Sequence, residues 1–145
     1  MMKPLVLLVD DEAPFVETMT KRLSKRDLRI ITAYSGEEAL ELLDKNRNTD
    51  VVVLDVKMPG MDGIETLEKI RNQFPLTEVI MLTGHATVES AIDGMKLGAF
   101  DYLMKPCEIE QLMAKVHEAA KKKRDHEEKI REARVREALS AHGLE

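Results

Sequence analysis

Five short aliphatic runs recur along the chain, and polar segments with helical spacing of their apolar residues separate them. The starts of the runs lie about 20 to 30 residues apart, which is the length of one strand joined to one helix. Strict alternation of strand and helix predicts an α/β fold, with a parallel sheet covered by helices on both faces. The five runs occupy residues 5–9, 28–34, 51–54, 79–82 and 100–104.

The segments that follow the runs predict five helices, because their apolar residues recur every three or four positions. Ser35 and Glu38 form a capping-box pattern at the start of the second helix, Pro75 ends the third helix and Gly98 closes the fourth. We expect Met81, Met95, Met104 and Met113 to lie in the core, because they fall at core spacing. The apolar residues that mark the five helices are Phe15, Met19 and Leu23; Ala39, Leu42 and Leu43; Ile64, Leu67, Ile70 and Phe74; Val88, Ala91, Ile92 and Met95; and Ile109, Leu112, Met113, Val116 and Ala120.

The topology follows from which runs are most apolar. The first and third runs are the most continuously apolar, which places them in the middle of the sheet. Five strand–helix units of this kind fit a flavodoxin-like (βα)5 doubly wound parallel sheet with strand order 2-1-3-4-5. An eightfold barrel needs roughly 250 residues, so the length of 145 residues excludes that fold.

The chain changes character near its C-terminus, where charged residues dominate and apolar residues are sparse. We expect a folded domain over residues 1–121 and a charged helical extension over residues 122–145. One interpretation of the extension is a solvated helical tail, because its apolar stripe is weak. The other is that the fifth helix continues and pairs with a second copy of the chain, which the spacing of Ile130, Ala133 and Ala138 supports weakly.

Composition narrows the class of protein. The net charge of −5 is typical of a soluble protein, and an acidic chain with 3% aromatic residues is a poor partner for nucleic acid. Cys107 is the single cysteine, so an internal disulfide is impossible and a reducing cytoplasm is the expected location. No apolar run reaches the length of a signal-peptide core or of a membrane span, so we expect no membrane association.

Polar residues follow four of the five runs, at the points where the predicted strands end. Because the carboxyl ends of parallel strands meet at one edge of a sheet, a single crevice should hold all of these groups. Neighbouring carboxylates repel each other, and Mg²⁺ with oxygen ligands relieves that repulsion. A carboxylate at such a site can act as a nucleophile on phosphorus, while an ammonium and a hydroxyl hold the phosphoryl oxygens. The groups are Asp10, Asp11 and Glu12 after the first run, Asp55 after the third, Thr83 after the fourth and Lys105 after the fifth.

Each of these groups also has an ordinary structural explanation. An acidic pair after a strand is often a helix N-cap, Thr83 fits a cap or strand position, and Lys105 before Pro106 fits a solvated loop. Asp55 is harder to explain in this way, because it closes the most apolar run in the chain. A Gly-rich phosphate loop of the form GxxxxGK(S/T) is absent, so a nucleoside triphosphate is not the expected substrate.

Four short motifs occur in one order and together resemble the receiver domain of two-component response regulators. They are LLVDDE at 7–12, LDVKMPGMDG at 54–63, LTG at 82–84 and DYLMKP at 101–106. The resemblance covers roughly residues 3–121 and looks greatest to the receivers of enhancer-binding transcription activators. It implies that the chain takes a phosphoryl group from a sensor histidine kinase or a phosphotransfer protein. It also implies that the chain catalyses its own phosphorylation and dephosphorylation, and no metabolic reaction.

The resemblance assigns the metal and the acceptor to individual residues. Asp55 is the implied phospho-acceptor, and it binds Mg²⁺ together with Asp11 and the backbone carbonyl of Lys57. Asp10 acts on the metal through a bound water, and we expect Mn²⁺ to substitute for Mg²⁺. The Lys105–Pro106 peptide bond is expected to be cis, as it is in the family.

The resemblance also implies a conformational switch. Thr83 and Lys105 contact the phosphoryl oxygens, Thr83 moves toward them, and Tyr102 rotates inward behind it. Lys57 and His85 flank the path of the attacking water, so they are expected to tune dephosphorylation. The switched surface is the face of the fourth helix, fifth strand and fifth helix, and a homodimer through this face and the C-terminal helix is expected.

Three alternatives to this function stay open. The first is a phosphorylation-independent interaction and dimerisation module that keeps the receiver fold, and the second is the regulatory fragment of a longer DNA-binding transcription regulator. A third alternative is a phosphatase-type hydrolase that forms an aspartyl-phosphate. The hydrolase is the least favoured, because such enzymes carry a DxD pattern and the residue two positions after Asp55 is Lys57.

Overall fold

The computed structural model describes residues 2–84 and 87–143, and over these residues five strands alternate with five helices. The strands form one parallel sheet in the order β2-β1-β3-β4-β5. The predicted flavodoxin-like topology is therefore confirmed. The elements are β1 (Leu5–Val9), α1 (Ala13–Ser24), β2 (Arg29–Ala33), α2 (Gly36–Lys45), β3 (Val51–Leu54), α3 (Gly63–Gln73), β4 (Glu78–Thr83), α4 (Val88–Lys96), β5 (Asp101–Met104) and α5 (Ile109–Ala141).

The core has two layers, one on each face of the sheet, because alternate residues of a strand point to opposite faces. In β1, Val6 and Leu8 belong to the layer that contains residues of α1 and α5, while Leu7 and Val9 belong to the layer that contains residues of α2 and α3. β3 lies at the centre of the sheet and all of its residues are buried. The carboxyl ends of the strands then form the edge on which the predicted polar residues lie.

Side-chain caps fix the starts of α2, α3 and α4. The Ser35 hydroxyl accepts a hydrogen bond from the Glu38 N–H at 3.1 Å, which confirms the predicted start of α2. Thr87 and Ser90 form a reciprocal capping box at the start of α4. Each cap satisfies backbone N–H groups that a helix leaves without a partner in its first turn.

The expectation that Met95 and Met104 lie in the core is wrong. Val88 is 78% exposed, Ile92 48% and Met95 47%, and Met104 of β5 is 61% exposed. Periodicity predicts that a helix has an apolar face, but it does not say whether that face lies against the sheet. These four exposed apolar residues, on two elements that pack against each other, are called the α4–β5 patch below.

Ion pairs hold α5 against the sheet at the end opposite the predicted site. Asp50, which precedes β3, is buried and accepts a hydrogen bond from the Leu5 N–H at 2.8 Å. Lys123 Nζ lies 3.2 Å from one Asp50 oxygen, and Arg124 lies 3.2 Å from the other. Contacts between α5 and the domain therefore continue to Arg124, past residue 121, and the division of the chain at that residue stays a prediction.

Beyond this anchor α5 is exposed. Every residue over 128–143 is exposed, including the apolar residues Ile130, Val135 and Leu139. The helical part of the extension is thus confirmed, while its pairing with a second copy stays a prediction. Over the part of the chain that the structure describes, no helix combines the length and the apolar character needed to cross a bilayer.

Candidate functional site

Four strand ends place the predicted site residues together at one edge of the sheet. Asp10 follows β1, Asp55 follows β3, Thr83 ends β4 and Lys105 follows β5. Asp10, Asp55 and Thr83 are all buried, and Thr83 has an interaction partner. Buried polar side chains on separate, neighbouring strands are costly unless they act as a group.

Three carboxylates form the centre of this group. One oxygen from each of Asp10, Asp11 and Asp55 lies within 4.8 Å of the others, and Asp11 is the exposed member of the three. Asp10 Oδ1 also accepts a hydrogen bond from the Glu12 N–H at 2.9 Å, and Asp55 Oδ1 accepts one from the Val56 N–H at 2.8 Å. These bonds fix two of the side chains, and the remaining carboxylate oxygens form a donor set that suits a hard divalent cation.

The electrostatics of the cluster favour such a cation. Burial raises the pKa of Asp10 above its ordinary value, and the negative charge of Asp55 raises it further. Hydrogen bonds from Lys105 and from the Glu12 N–H offset this increase only in part. A divalent cation supplies the positive charge that this crowded set of carboxylates lacks, so the residues present fit Mg²⁺.

Lys105 reaches across the crevice to the carboxylates. Its Nζ lies 2.6 Å from Asp10 Oδ2 and 3.4 Å from Glu12 Oε1, and it sits 3.9 Å from the centroid of the Phe15 ring. Burial alone would lower the pKa of Lys105, but the hydrogen bond to Asp10 and the charges of Asp10, Asp55 and Glu12 raise it. Lys105 is therefore an ammonium, and the Lys105–Pro106 peptide bond is cis, as expected.

The loop after β3 folds tightly under Asp55. The Gly63 N–H donates to the Val56 carbonyl at 2.7 Å, and Asp62 caps α3 by accepting from the Glu65 N–H. A Cβ on Gly63 would lie 1.9 Å from the Asp55 carbonyl oxygen, so only glycine allows this approach. Lys57 lies in the same loop and its side chain is exposed, while the role of its carbonyl as a metal ligand stays a prediction.

Tyr102 is a residue of the predicted switch, and His85 is one of the residues predicted to tune dephosphorylation. The Tyr102 hydroxyl lies 2.8 Å from the Ser90 hydroxyl of α4, and its ring packs at Gly94. Tyr102 thus links β5 to the first turn of α4 in this structure, and its rotation stays a prediction. His85 lies outside the described residues.

Two further residues complete the site. Glu12 is the N-cap residue of α1 but makes no capping hydrogen bond with its side chain, so the simple N-cap explanation does not account for it. Instead it faces Lys105. The contact of Phe15 with Lys105 was not predicted, because the spacing of Phe15 with Met19 and Leu23 indicated only the apolar face of a helix.

Mg²⁺ is expected to stabilise the folded chain. At a concentration tenfold above the dissociation constant, binding contributes about 1.4 kcal/mol and raises the melting temperature by roughly 4 °C. The proton on Asp10 competes with the metal, and the raised pKa of Asp10 means that this competition extends above the ordinary carboxyl range.

The sign of the pH dependence follows from that shift. In the metal-free chain, protonation of Asp10 stabilises the fold below its ordinary pKa of 3.8, and this contribution is lost as pH rises through the raised pKa. The gain from Mg²⁺ therefore grows as pH rises through the same range. Thermal melts with and without MgCl₂ measure it, and an equal gain in Asp11→Asn would contradict the assignment of the site.

The sequence and the fold are similar to those of known proteins. A family described as the response regulator receiver domain matches residues 6–117. The DNA-binding transcriptional regulator NtrC of Escherichia coli K12 is 35% identical over 119 residues, and the transcriptional regulatory protein CpxR of the same organism is 40% identical over 111. A receiver domain protein from Clostridium thermocellum superimposes with a TM-score of 0.80 at 34% identity, covering 83% of this chain and 97% of that one.

The two regulators are much longer than this chain. The match to NtrC covers 82% of this chain and 25% of NtrC, and the match to CpxR covers 77% of this chain and 47% of CpxR. The similarity therefore concerns the part of each regulator that corresponds to this α/β domain.

Proposed function

The chain belongs to the response regulator receiver family of two-component signalling, and from this premise we propose that Asp55 accepts the phosphoryl group. The observation that carries the proposal is the position of Asp55, buried at the end of β3 with carboxylate oxygens of Asp10 and Asp11 within 4.8 Å. Lys105 supplies the one positive charge within hydrogen-bonding distance of that cluster among the described residues. A carboxylate held in this way is a nucleophile beside groups that neutralise a phosphoryl group.

The proposed reaction is a direct transfer. A carboxylate oxygen of Asp55 attacks the phosphorus of a phosphohistidine on a sensor kinase or phosphotransfer protein. The P–N bond breaks, and the imidazole leaves with the electron pair and takes up a proton. Lys105 and the Thr83 hydroxyl contact the phosphoryl oxygens and stabilise their charge during transfer. Asp11, Asp55 and the Lys57 carbonyl, with Asp10 through water, would hold Mg²⁺ or Mn²⁺, which would supply further positive charge at the site.

Hydrolysis of the aspartyl-phosphate returns Asp55 to a free carboxylate. A water attacks the phosphorus of the aspartyl-phosphate, the P–O bond to Asp55 breaks, and inorganic phosphate leaves. We propose that the side chains of Lys57 and His85 set the lifetime of the phosphorylated form. The exposed position of the Lys57 side chain in the loop after Asp55 is compatible with that role.

The switch is proposed to act through β4 and β5. Movement of Thr83 toward the phosphoryl group would release space behind it, and Tyr102 would leave Ser90 and turn inward. That hydrogen bond of 2.8 Å joins β5 to the start of α4, so its loss would alter the surface next to the α4–β5 patch. A local change in charge at Asp55 would thus change an interaction surface.

We propose that two copies of the chain form a homodimer through this surface. The α4–β5 patch is apolar and exposed, and the apolar residues Ile130, Val135 and Leu139 are exposed along α5. Association of two copies would bury both sets of residues. We place the reaction in the cytoplasm, in keeping with the single thiol of Cys107, and expect no direct contact of the chain with nucleic acid or membrane.

Incubation with acetyl phosphate and Mg²⁺ tests the proposed function. We expect the intact mass to increase by one phosphoryl group, because acetyl phosphate can donate to Asp55 when its P–O bond breaks and acetate leaves. Asp55→Asn and removal of Mg²⁺ with EDTA should each abolish the gain, and sedimentation of the phosphorylated sample should show the dimer. An unchanged gain in Asp55→Asn would contradict the proposal.

A longer regulator is a second possibility that one observation favours. This chain spans 25% of NtrC and 47% of CpxR, and both are named as transcriptional regulators. We propose that, in such a context, the dimer surface passes the phosphorylation signal to a further domain. A phosphorylation-independent module with the same fold would instead associate equally well with and without acetyl phosphate.

A further inference from the structure

We propose that Phe15 is a positioning residue that holds the Lys105 ammonium over the carboxylate cluster. This inference rests on the proposed function, because it concerns the rate at which Asp55 takes up a phosphoryl group. Phe15 lies in the first turn of α1, and its helical spacing with Met19 and Leu23 does not by itself indicate a role in the reaction.

The geometry of the contact is that of a cation and an aromatic face. Lys105 Nζ lies 3.9 Å from the centroid of the Phe15 ring, well inside the distance of about 6 Å at which such contacts are favourable. The same nitrogen lies 2.6 Å from Asp10 and 3.4 Å from Glu12. The ring and the two carboxylates thus contact the ammonium together, and all three come from the segment that leaves the end of β1.

Lys105 needs such support because its side chain is long and flexible. A cavity of about 360 Å³ opens beside it, lined by Phe15, Met19, Arg22, Leu82 and Lys105 among others. The Phe15 ring is part of this wall, and a smaller aliphatic side chain would leave the Lys105 stem with more room and more contact with water. The ammonium would then occupy more positions, few of which suit transfer to Asp55.

Packing alone is the competing explanation for Phe15. Its ring is partly buried and packs against the core layer of α1 and α5. Phe100 provides a matched control, because it is also partly buried against that layer and also has a lysine, Lys122, near its ring at 5.7 Å. Phe100 is far from the carboxylate cluster, since it precedes β5 at the opposite end of the sheet.

The test measures the rate of phosphoryl uptake from acetyl phosphate in the full chain with saturating Mg²⁺. We expect Phe15→Leu to slow uptake roughly 3- to 10-fold. This fold-change corresponds to the loss of one partly desolvated cation–π contact. Phe15→Tyr, which keeps an aromatic face, should restore most of the rate. Phe100→Leu should stay close to the wild-type rate.

A second measurement reports the contact itself. The ring current of Phe15 should shift the ε-methylene protons of Lys105 upfield in the NMR spectrum, and this shift should disappear in Phe15→Leu and persist in Phe15→Tyr. Loss of core packing alone would not produce that pattern.

The inference is overturned if Phe15→Leu takes up phosphate at the wild-type rate or faster, or if Phe15→Leu and Phe100→Leu slow uptake equally. It is also overturned if the Lys105 methylene shift is the same in wild type and Phe15→Leu. If the wild-type chain itself takes up no phosphoryl group, the proposed function fails, and the NMR comparison still decides whether Phe15 holds Lys105.

Discussion

Replacing Gly63 by alanine is expected to lower the free energy of unfolding by about 3 kcal/mol or more, equivalent to roughly 10 °C in melting temperature. The added Cβ would lie 1.9 Å from the Asp55 carbonyl oxygen and 2.6 Å from the Val56 Cα. Both are backbone atoms, so either the end of β3 or the start of α3 must move. Since Asp55 lies at this point, the variant should also lose most of its phosphoryl uptake.

Gly94→Ala is the matched control for this prediction. Gly94 lies inside α4, and a Cβ there would be 3.5 Å from the Tyr102 ring, which is an ordinary contact. Alanine is preferred to glycine within a helix, so a stabilisation of about 0.5–1 kcal/mol is expected. Urea denaturation of both variants measures the difference. A Gly63→Ala variant as stable as wild type would show that the loop under Asp55 is not tightly packed.

Replacing Asp50 by alanine should destabilise the fold by about 3 kcal/mol, since removing one partner of a buried ion-pair network is strongly destabilising. Arg124 would lose its carboxylate and the Leu5 N–H its acceptor. Lys123, which is 5% exposed, would keep only its pair with Glu127. The anchor of α5 would then be released. Hydrogen exchange along residues 122–141 should be faster in the variant, because these amides depend on that anchor.

Asp44→Ala provides the comparison for Asp50→Ala. Asp44, near the end of α2, pairs with Arg47 just beyond that helix, and both side chains are exposed. Such a pair contributes between zero and about 1 kcal/mol, so Asp44→Ala should unfold close to the wild-type midpoint. Equal effects of the two substitutions would mean that the contact between Asp50 and α5 does not stabilise the domain.

The order of the strands and the residues at their ends could be predicted from the sequence, because local patterns determine both. Dense runs such as Val51–Leu54 identify buried strands, and a charge such as Asp55 at the end of one is conspicuous. Parallel strand ends share one edge, so Asp10, Asp55 and Lys105 could be placed together before any distance was known. Their mutual contacts agree with that placement.

The remaining features depend on contacts that no local pattern encodes. Asp50 and Arg124 are 74 residues apart in the chain, and each has an ordinary loop or helix sequence around it. Phe15 could be assigned to a helix face, but its contact with Lys105 depends on how α1 and the loop after β5 approach each other. The exposure of Ile92 likewise depends on how α4 packs on the sheet, and periodicity does not set that orientation.

The central claim is that Asp55 itself carries the phosphoryl group, and chemical trapping tests it most directly. Borohydride reduces an aspartyl-phosphate to homoserine, so the wild-type chain is treated with acetyl phosphate and Mg²⁺, reduced, digested and analysed by peptide mass spectrometry. We predict homoserine at position 55 and unmodified aspartate at positions 10 and 11. Homoserine at Asp10 or Asp11, or none at position 55, would contradict the account.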